Sequence, residues 1–571
     1  MCSDVDSRVE ASTARAAEAL FATQRPEGFW PNRRPTAVLG TAGAIVALHF
    51  ADPEHSRDLV ERGGAWLASV QNSDGGWGGV PGAASQLVPT VVTASALRTV
   101  APGVSEEAVR RALELVESLG GVESLTDPGM VHMARTFLAL AGLRDLRGSR
   151  RIPLELLLLP RRLWRRRLSF RAAPFVAMAL IQAHHAPSRG LGRLLHRLAR
   201  PAALRLLREV EQGENDRGGY GGDNWLTAVV CIGLCLGKAP RAMIADTVDY
   251  LRSNVQPDGS WHIMQGLDLI GGSYVARGLA DAGYTEDPRL VRARQWLRGC
   301  RQDQAFPLYD APPGGWGWEG PRGWPNFLDS ANVLAALTPA GDTEPAEPLR
   351  RGLEWLTSRQ DARGSWGTFV PDTTLANDGP CPYTTAQCVE TLLDSGLPRT
   401  DARIVKALDW LLTCQRPDGT YEALWYRGLT AATALALVAF ARGGVAGRPE
   451  ARRARDALLD LQLADGSWGP GETGTRGDDP SRGTVEETAW ALRGLLAAGL
   501  PAEDDRLRRA AEWLLSRQRD DGLWQPSPVC LHIRRLAYYV DGLIGNGLAL
   551  KALGAYRTAL TAGSPAQREA L

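Results

Sequence analysis

Few spacings in this 571-residue sequence suit metal or covalent chemistry. Asp378 and Cys381 in NDGPCPY stand close enough to share a zinc ion, but no histidine follows until His532, which leaves an Asp, Cys and His ligand set incomplete. Asp478 and Asp479 in RGDDPSRG lack the third carboxylate of a DDxxD metal motif and lie in a loop-like stretch. The eight cysteines have no framework spacing, so neither a disulfide scaffold nor a metal cluster is expected. Asp329 heads the apolar stretch FLDSANVLAAL, where a carboxylate can cap a helix. The leucines of LELLLL abut Arg161, Arg162, Arg165, Arg166, Arg167 and Arg171 around Trp164. Residues 154–171 therefore read either as a monotopic membrane contact, with leucines dipping in and arginines meeting headgroups, or as a solvated basic helix.

What would position such groups is a repeat. A helical pattern ending in Gln, then a Pro/Asp/Gly turn and an aromatic, recurs seven times, from QRPEGFW (24–30) and QNSDGGW (71–77) to QLADGSW (462–468) and QRDDGLW (518–524). Amphipathic stretches such as RAAEWLLSRQ precede each Gln, and apolar stretches ending in Gly, such as TVEETAWALRGLLAAG, follow each turn. Alternating outer and inner helices of this kind close into α/α barrels. The predicted fold is all-α, two α/α barrels with essentially no sheet, and most of the 18 tryptophans are expected to staple helices together. The clean repeat lapses between Gln71 and Gln256, which suggests one barrel at roughly 285–571 completed by residues 1–24, and an inserted second barrel at 25–284. With 65 basic and 64 acidic side chains, no nucleic-acid partner is expected. The N-terminus carries no signal-peptide pattern, and no apolar run reaches the ~18 residues of a spanning helix, so the chain is expected in the cytoplasm, at the inner membrane face if 154–171 touches lipid.

The seven repeats resemble the QW motif of squalene-hopene cyclases, oxidosqualene cyclases and bacterial class II diterpene cyclases. The resemblance extends to RIPLELLLLPRRLWRRRLSFRAAPFVAMAL (151–180), to GGWGWEGPRGWPNFLDSANVLAAL (314–337) and to GTVEETAWALRGLLAAG (483–499). It implies two α/α barrels with an active cavity between them, a polyisoprenoid substrate, and initiation by a carboxylic acid kept neutral in a dry pocket. The family takes that acid from Asp-x-Asp-Asp-Thr-Ala. Here the matching residues are Asn326, Phe327, Leu328, Asp329, Ser330 and Ala331, so leucine stands at the proton-donating position and only Asp329 remains. A second family motif, Asp-Val-Thr-Ala-His, is matched by Tyr383-Thr384-Thr385-Ala386-Gln387. Three readings follow: Asp329 is the acid, helped by Asn326, Tyr383 or Gln387; the cavity binds or refolds an isoprenoid without protonating it; or a different first step operates. The candidate walls of the cavity are Trp316, Trp318, Phe327 and Leu328 near the acid, Trp425 at the place of a family pocket tryptophan, Tyr426, and Tyr538 and Tyr539, with core packing the alternative for each aromatic. No cofactor is expected, magnesium entering only if the substrate bears a diphosphate. A non-catalytic isoprenoid-binding protein is the competing class.

Overall fold

The computed structural model describes residues 2–32, 36–103, 105–147, 149–264, 266–338, 347–471, 482–532 and 537–562. The paired carboxylates Asp478 and Asp479 lie outside them. Among the described residues, inner helices form two rings. One ring joins Asp268–Asp281, Phe327–Leu337, Pro382–Asp394, Thr430–Arg442, Val485–Ala497 and Gly542–Ala562, the last packing back on the first. The other joins Val38–Ala51, Leu87–Val100, Pro128–Leu140, Ala172–His185 and Asn224–Leu236, and closes likewise. Outer helices sheathe both.

Composition explains which helix goes where. Thr430–Arg442 is apolar or hydroxylic all round and is buried from Thr430 to Phe440, because it faces the ring interior on one side and an outer helix on the other. Asp505–Ser516 buries Leu507, Ala510, Ala511 and Leu514 and leaves its arginines in water, as an outer helix with one covered face must. The six-helix ring closes through glycine: a Cβ on Gly547 would stand 2.5 Å from the Tyr274 backbone, and one on Gly278 would stand 2.4 Å from the Gly547 carbonyl. Any larger residue there would push the first and last inner helices apart.

The repeat glutamines and aromatics carry the joints. Gln360 donates its amide to the Gly364 carbonyl of its own turn (2.7 Å) and to Arg403 O of the next outer helix (2.9 Å), and Gln24, Gln71, Gln415, Gln462 and Gln518 do the same with their own partners. Trp366 donates its indole N–H to Leu356 O (2.9 Å), while its backbone N–H is received by the Thr385 hydroxyl of the following inner helix (3.0 Å). Each unit thus ties an outer helix, an inner helix and the next outer helix, satisfying backbone groups that helix ends leave open.

One expectation changes. Helix Asp268–Asp281 packs in the six-helix ring, against Phe327–Leu337 and Gly542–Ala562, and the outer helix Cys2–Thr23 covers Gly542–Ala562. On this packing we place the domain boundary before residue 268 instead of after 284: the five-helix barrel is inserted between the first outer helix of the other barrel and its first inner helix. The all-helical class holds: among the described residues the strands are confined to one short antiparallel ribbon, Cys530–His532 with Ala537–Tyr539.

Candidate active site

A cavity of about 830 Å³ lies between the barrels, walled mostly by apolar and aromatic side chains. One of the acids that line it, Asp329, stands at the start of the inner helix Phe327–Leu337. Asn326, in extended conformation, is the N-cap: its side-chain oxygen receives the backbone N–H of Asp329 (2.8 Å), and its amide donates to Asp329 Oδ2 (2.5 Å). The capping role open to Asp329 in the sequence therefore belongs to Asn326, three residues earlier. That frees the Asp329 carboxyl to face the cavity, 5% exposed. Burial pushes its pKa up to about 7 against the opposing pull of the Asn326 hydrogen bond. Near neutral pH a carboxylic acid and its anion are both available.

The π-rich wall beside it is centred on Phe369. Its ring lies 6.0 Å from Trp318, 6.1 Å from Trp324 and 6.5 Å from Trp425, with edge-to-face geometry in each case. Thr368 sets this wall against the acid helix: its carbonyl receives the Phe327 N–H (2.8 Å), and its hydroxyl receives the Trp425 indole N–H (2.8 Å). Leu328, Trp318, Trp425, Tyr426 and Tyr539 all line the cavity.

The remaining sequence-predicted residues stand elsewhere. Trp316 is a repeat tryptophan in a stretched copy: it is fully buried and donates to Leu297 O (2.8 Å). Phe327 points to the outside of its ring, against Trp355 and Arg359. Gln387 donates to the Thr391 hydroxyl (3.2 Å), which donates in turn to Ala331 O (3.0 Å), so this chain of bonds bolts two inner helices together. Tyr383 sits behind Tyr426, and Tyr274 bridges the two through its hydroxyl, 2.9 and 2.8 Å from theirs. Trp316, Phe327, Gln387, Tyr383 and Tyr538 are not among the cavity-lining side chains. None of them reaches Asp329 to assist it, and Asn326 alone of the three proposed helpers hydrogen-bonds to it.

Sequence reasoning missed Phe369, Trp324 and Tyr274. Phe369 was discoverable, since it follows Trp366 of a repeat by three residues, where the chain turns toward the next inner helix. Two buried carboxyls were also missed as positioning groups. Glu214 receives the Trp324 indole N–H (2.5 Å) from behind the wall, and burial, then the charge of Glu319, drives its pKa well up. Asp378 receives the backbone N–H of Phe369 (2.6 Å) and the Ser169 hydroxyl, joining the wall to the other barrel. Both of its oxygens are thus engaged in hydrogen bonds, and no group of three or more metal-ligating side chains occurs among the described residues.

The squalene-hopene cyclase N-terminal domain matches residues 13–187, and the C-terminal domain of the same family matches residues 303–530. The chain belongs to the squalene-hopene cyclase family. It is 26% identical to the squalene–hopene cyclase of Alicyclobacillus acidocaldarius over 89% of this chain and 91% of that protein. It is 27% identical to drimenyl diphosphate synthase of Streptomyces showdoensis over 54% of this chain and 55% of that one. Its fold is that of ent-copalyl diphosphate synthase from Streptomyces platensis (TM-score 0.60, 21% identity, 96% and 99% of the two chains). As a terpene cyclase-like member of this family the chain departs from the acid motif at Leu328, and its carboxyl is one position on.

Proposed function

We propose that the protein folds and cyclises an isoprenoid in the inter-barrel cavity, with Asp329 as the proton donor. The observation that carries this reading is a carboxyl with a pKa near 7, shut away from water, on the wall of an apolar cavity beside aromatic faces. Transfer of its proton to an alkene carbon breaks the O–H bond, forms C–H and leaves a carbocation, which neighbouring double bonds attack to close rings, and loss of one proton from the last cation forms an alkene and balances the proton donated. The faces of Trp318, Phe369, Trp425 and Tyr426 lower the energy of the cation without capturing it. The Asn326 amide stabilises the carboxylate left behind. Excluding water protects the cation from quenching.

The names of the relatives divide between squalene and diphosphates, and 830 Å³ lies toward the upper end of ligand cavities, about 300–1,000 Å³. Incubation with squalene, oxidosqualene and C15 to C20 prenyl diphosphates, with and without magnesium, followed by product analysis, tests the reading. A cyclic product from wild type and none from Asp329→Asn supports it. Tight binding without any product would favour the second reading, a non-catalytic isoprenoid carrier, which Leu328 at the family's acid position motivates.

We also propose that the protein rests on a membrane surface. Leu154, Leu157 and Trp164 of the segment expected to dip into lipid are buried, and Arg165, Arg166 and Arg171 pair with Asp310, Asp372 and Asp127. Leu158, Leu159 and Leu163 are exposed, and so are Leu191, Leu194 and Leu198 on one face of helix Gly190–Gln212, which packs on the Leu154–Leu158 turn. Six exposed leucines on neighbouring segments, with arginines among them, support interfacial seating. No described helix is long and apolar enough to cross a membrane. Loss of liposome flotation in a Leu158→Ser/Leu163→Ser variant is the expected result.

A further inference from the structure

The wall of the cavity is not uniform in charge. Asp329 and Asp223 are the acids that line it, and both stand at the beginnings of inner helices. The bases that line it come from other segments: His132 and Arg135 on helix Pro128–Leu140, Arg150 and Arg151 before the leucine turn, and Arg167 and Arg171 after it. Some of these have carboxylate partners. Arg135 pairs with Glu123, Arg151 with Glu155 and Arg171 with Asp127. Arg150 and Arg167 are exposed and make no ion pair among the described residues, so two guanidinium groups bring net positive charge to the edge of an apolar cavity. Deeper in the same group, His132 Nε2 and Arg135 Nε are sheltered from solvent without a hydrogen-bond partner.

A hydrocarbon substrate gives no reason for this arrangement. The sheltered Arg135 Nε–H without an acceptor costs stability that a bound acceptor would restore, His132 Nε2 can take the tautomer that donates, and guanidinium forks match phosphate oxygens two at a time. We infer that this basic mouth holds the diphosphate head of a linear prenyl diphosphate, with Arg150 and Arg167 as its principal ligands and His132 and Arg135 donating from within, while the prenyl chain runs along the aromatic wall toward Asp329. This inference rests on the isoprenoid reading above and specifies its substrate class. Holding the charged end at the mouth leaves the apolar end of the chain for the acid, so the head also sets the direction in which the substrate enters.

Tryptophan fluorescence reports occupancy, since Trp225, Trp318, Trp324 and Trp425 line the cavity. Geranylgeranyl diphosphate, geranylgeraniol, squalene and inorganic pyrophosphate are titrated into wild type and into Arg150→Gln/Arg167→Gln, with phosphatidylglycerol vesicles as a parallel arm. Wild type is expected to bind the diphosphate at least tenfold more tightly than the alcohol, as charge-assisted bonds of ~1.5–3 kcal/mol imply. In the double variant that preference should fall toward parity while affinity for geranylgeraniol stays unchanged, a pairing that loss of folding would not produce. Equal binding of diphosphate and alcohol by wild type overturns the head-group site and leaves the isoprenoid reading standing. Failure of all three isoprenoids to bind overturns both. A double variant that keeps its preference for the diphosphate but loses the vesicles assigns the arginines to lipid phosphate and overturns the site as stated.

Discussion

The wall of the cavity holds charge in opposite ways. At the acid one carboxyl is sealed between an inner helix and an aromatic wall, and desolvation decides its protonation. At the mouth several cations are spread over separate segments and partly in water, where screening weakens each of them. The same apolar cavity therefore contains a dry site suited to giving up a proton and a wet site suited to gripping an anion.

The sharpest way to break this comparison is Asp329→Asn, which keeps the shape and removes the acid. Turnover on the true substrate should fall at least about a hundredfold with the helical circular-dichroism spectrum intact. In wild type the donating form is lost as pH rises through about 7, so the rate should decline across that range, and a flat profile from pH 5 to 9 would refute Asp329 as donor. Stability follows the same sign. A carboxyl whose pKa is raised by folding favours the folded state at low pH, and that contribution disappears as pH rises through about 7. Asp329→Asn should therefore out-melt wild type more at pH 8 than at pH 4, by an amount bounded at roughly 4 kcal/mol for a shift of about three pH units.

Next in size is the support behind the wall. Tyr274→Phe removes the hydroxyl that joins Tyr383 and Tyr426, leaving two buried hydroxyls to find other partners, at ~1–3 kcal/mol in denaturant unfolding. An unchanged midpoint would mean that the tyrosines do not act as a unit. Asn326→Ala tests whether dryness or the hydrogen bond sets the acid. It should cost ~1 kcal/mol for the lost cap, and the pH limb should move upward, because the bond that favours the anion is gone. The smallest effect belongs to the mouth. Arg167→Gln alone should change KM a few-fold, with the difference shrinking as salt is added and the melting temperature unmoved; a change in kcat at saturating substrate would contradict the division between acid and basic mouth.

Much of the scaffold was legible because its determinants are local. Gln360, the Asp361–Gly364 turn and Trp366 lie within seven residues, and each makes the bond that its chemistry and spacing suggest. The acid was legible only in part. Asp329 stands in its motif, but the cap is Asn326, since φ and ψ at residue 326 decide which side chain can reach back to the Asp329 N–H. Gln387 matches the position of a family histidine, yet its amide turns to Thr391 one helical turn on. Trp316 and Trp318 are two residues apart and both aromatic, but one staples helices and the other faces the cavity.

By itself, the sequence determined the helix-turn-helix unit, its repetition and the barrel class, because turn residues, apolar periodicity and helix-end signals act over a few residues. The tertiary structure alone decided which side chains face the cavity. Inner helices such as Thr430–Arg442 are apolar on every side, so no periodicity distinguishes a wall of the cavity from a contact with the next helix. It also decided that Asp329 is dry and the mouth basic: Phe369, Trp425, His132 and Arg167 are scattered along the chain and meet only when the two rings close and pack against each other.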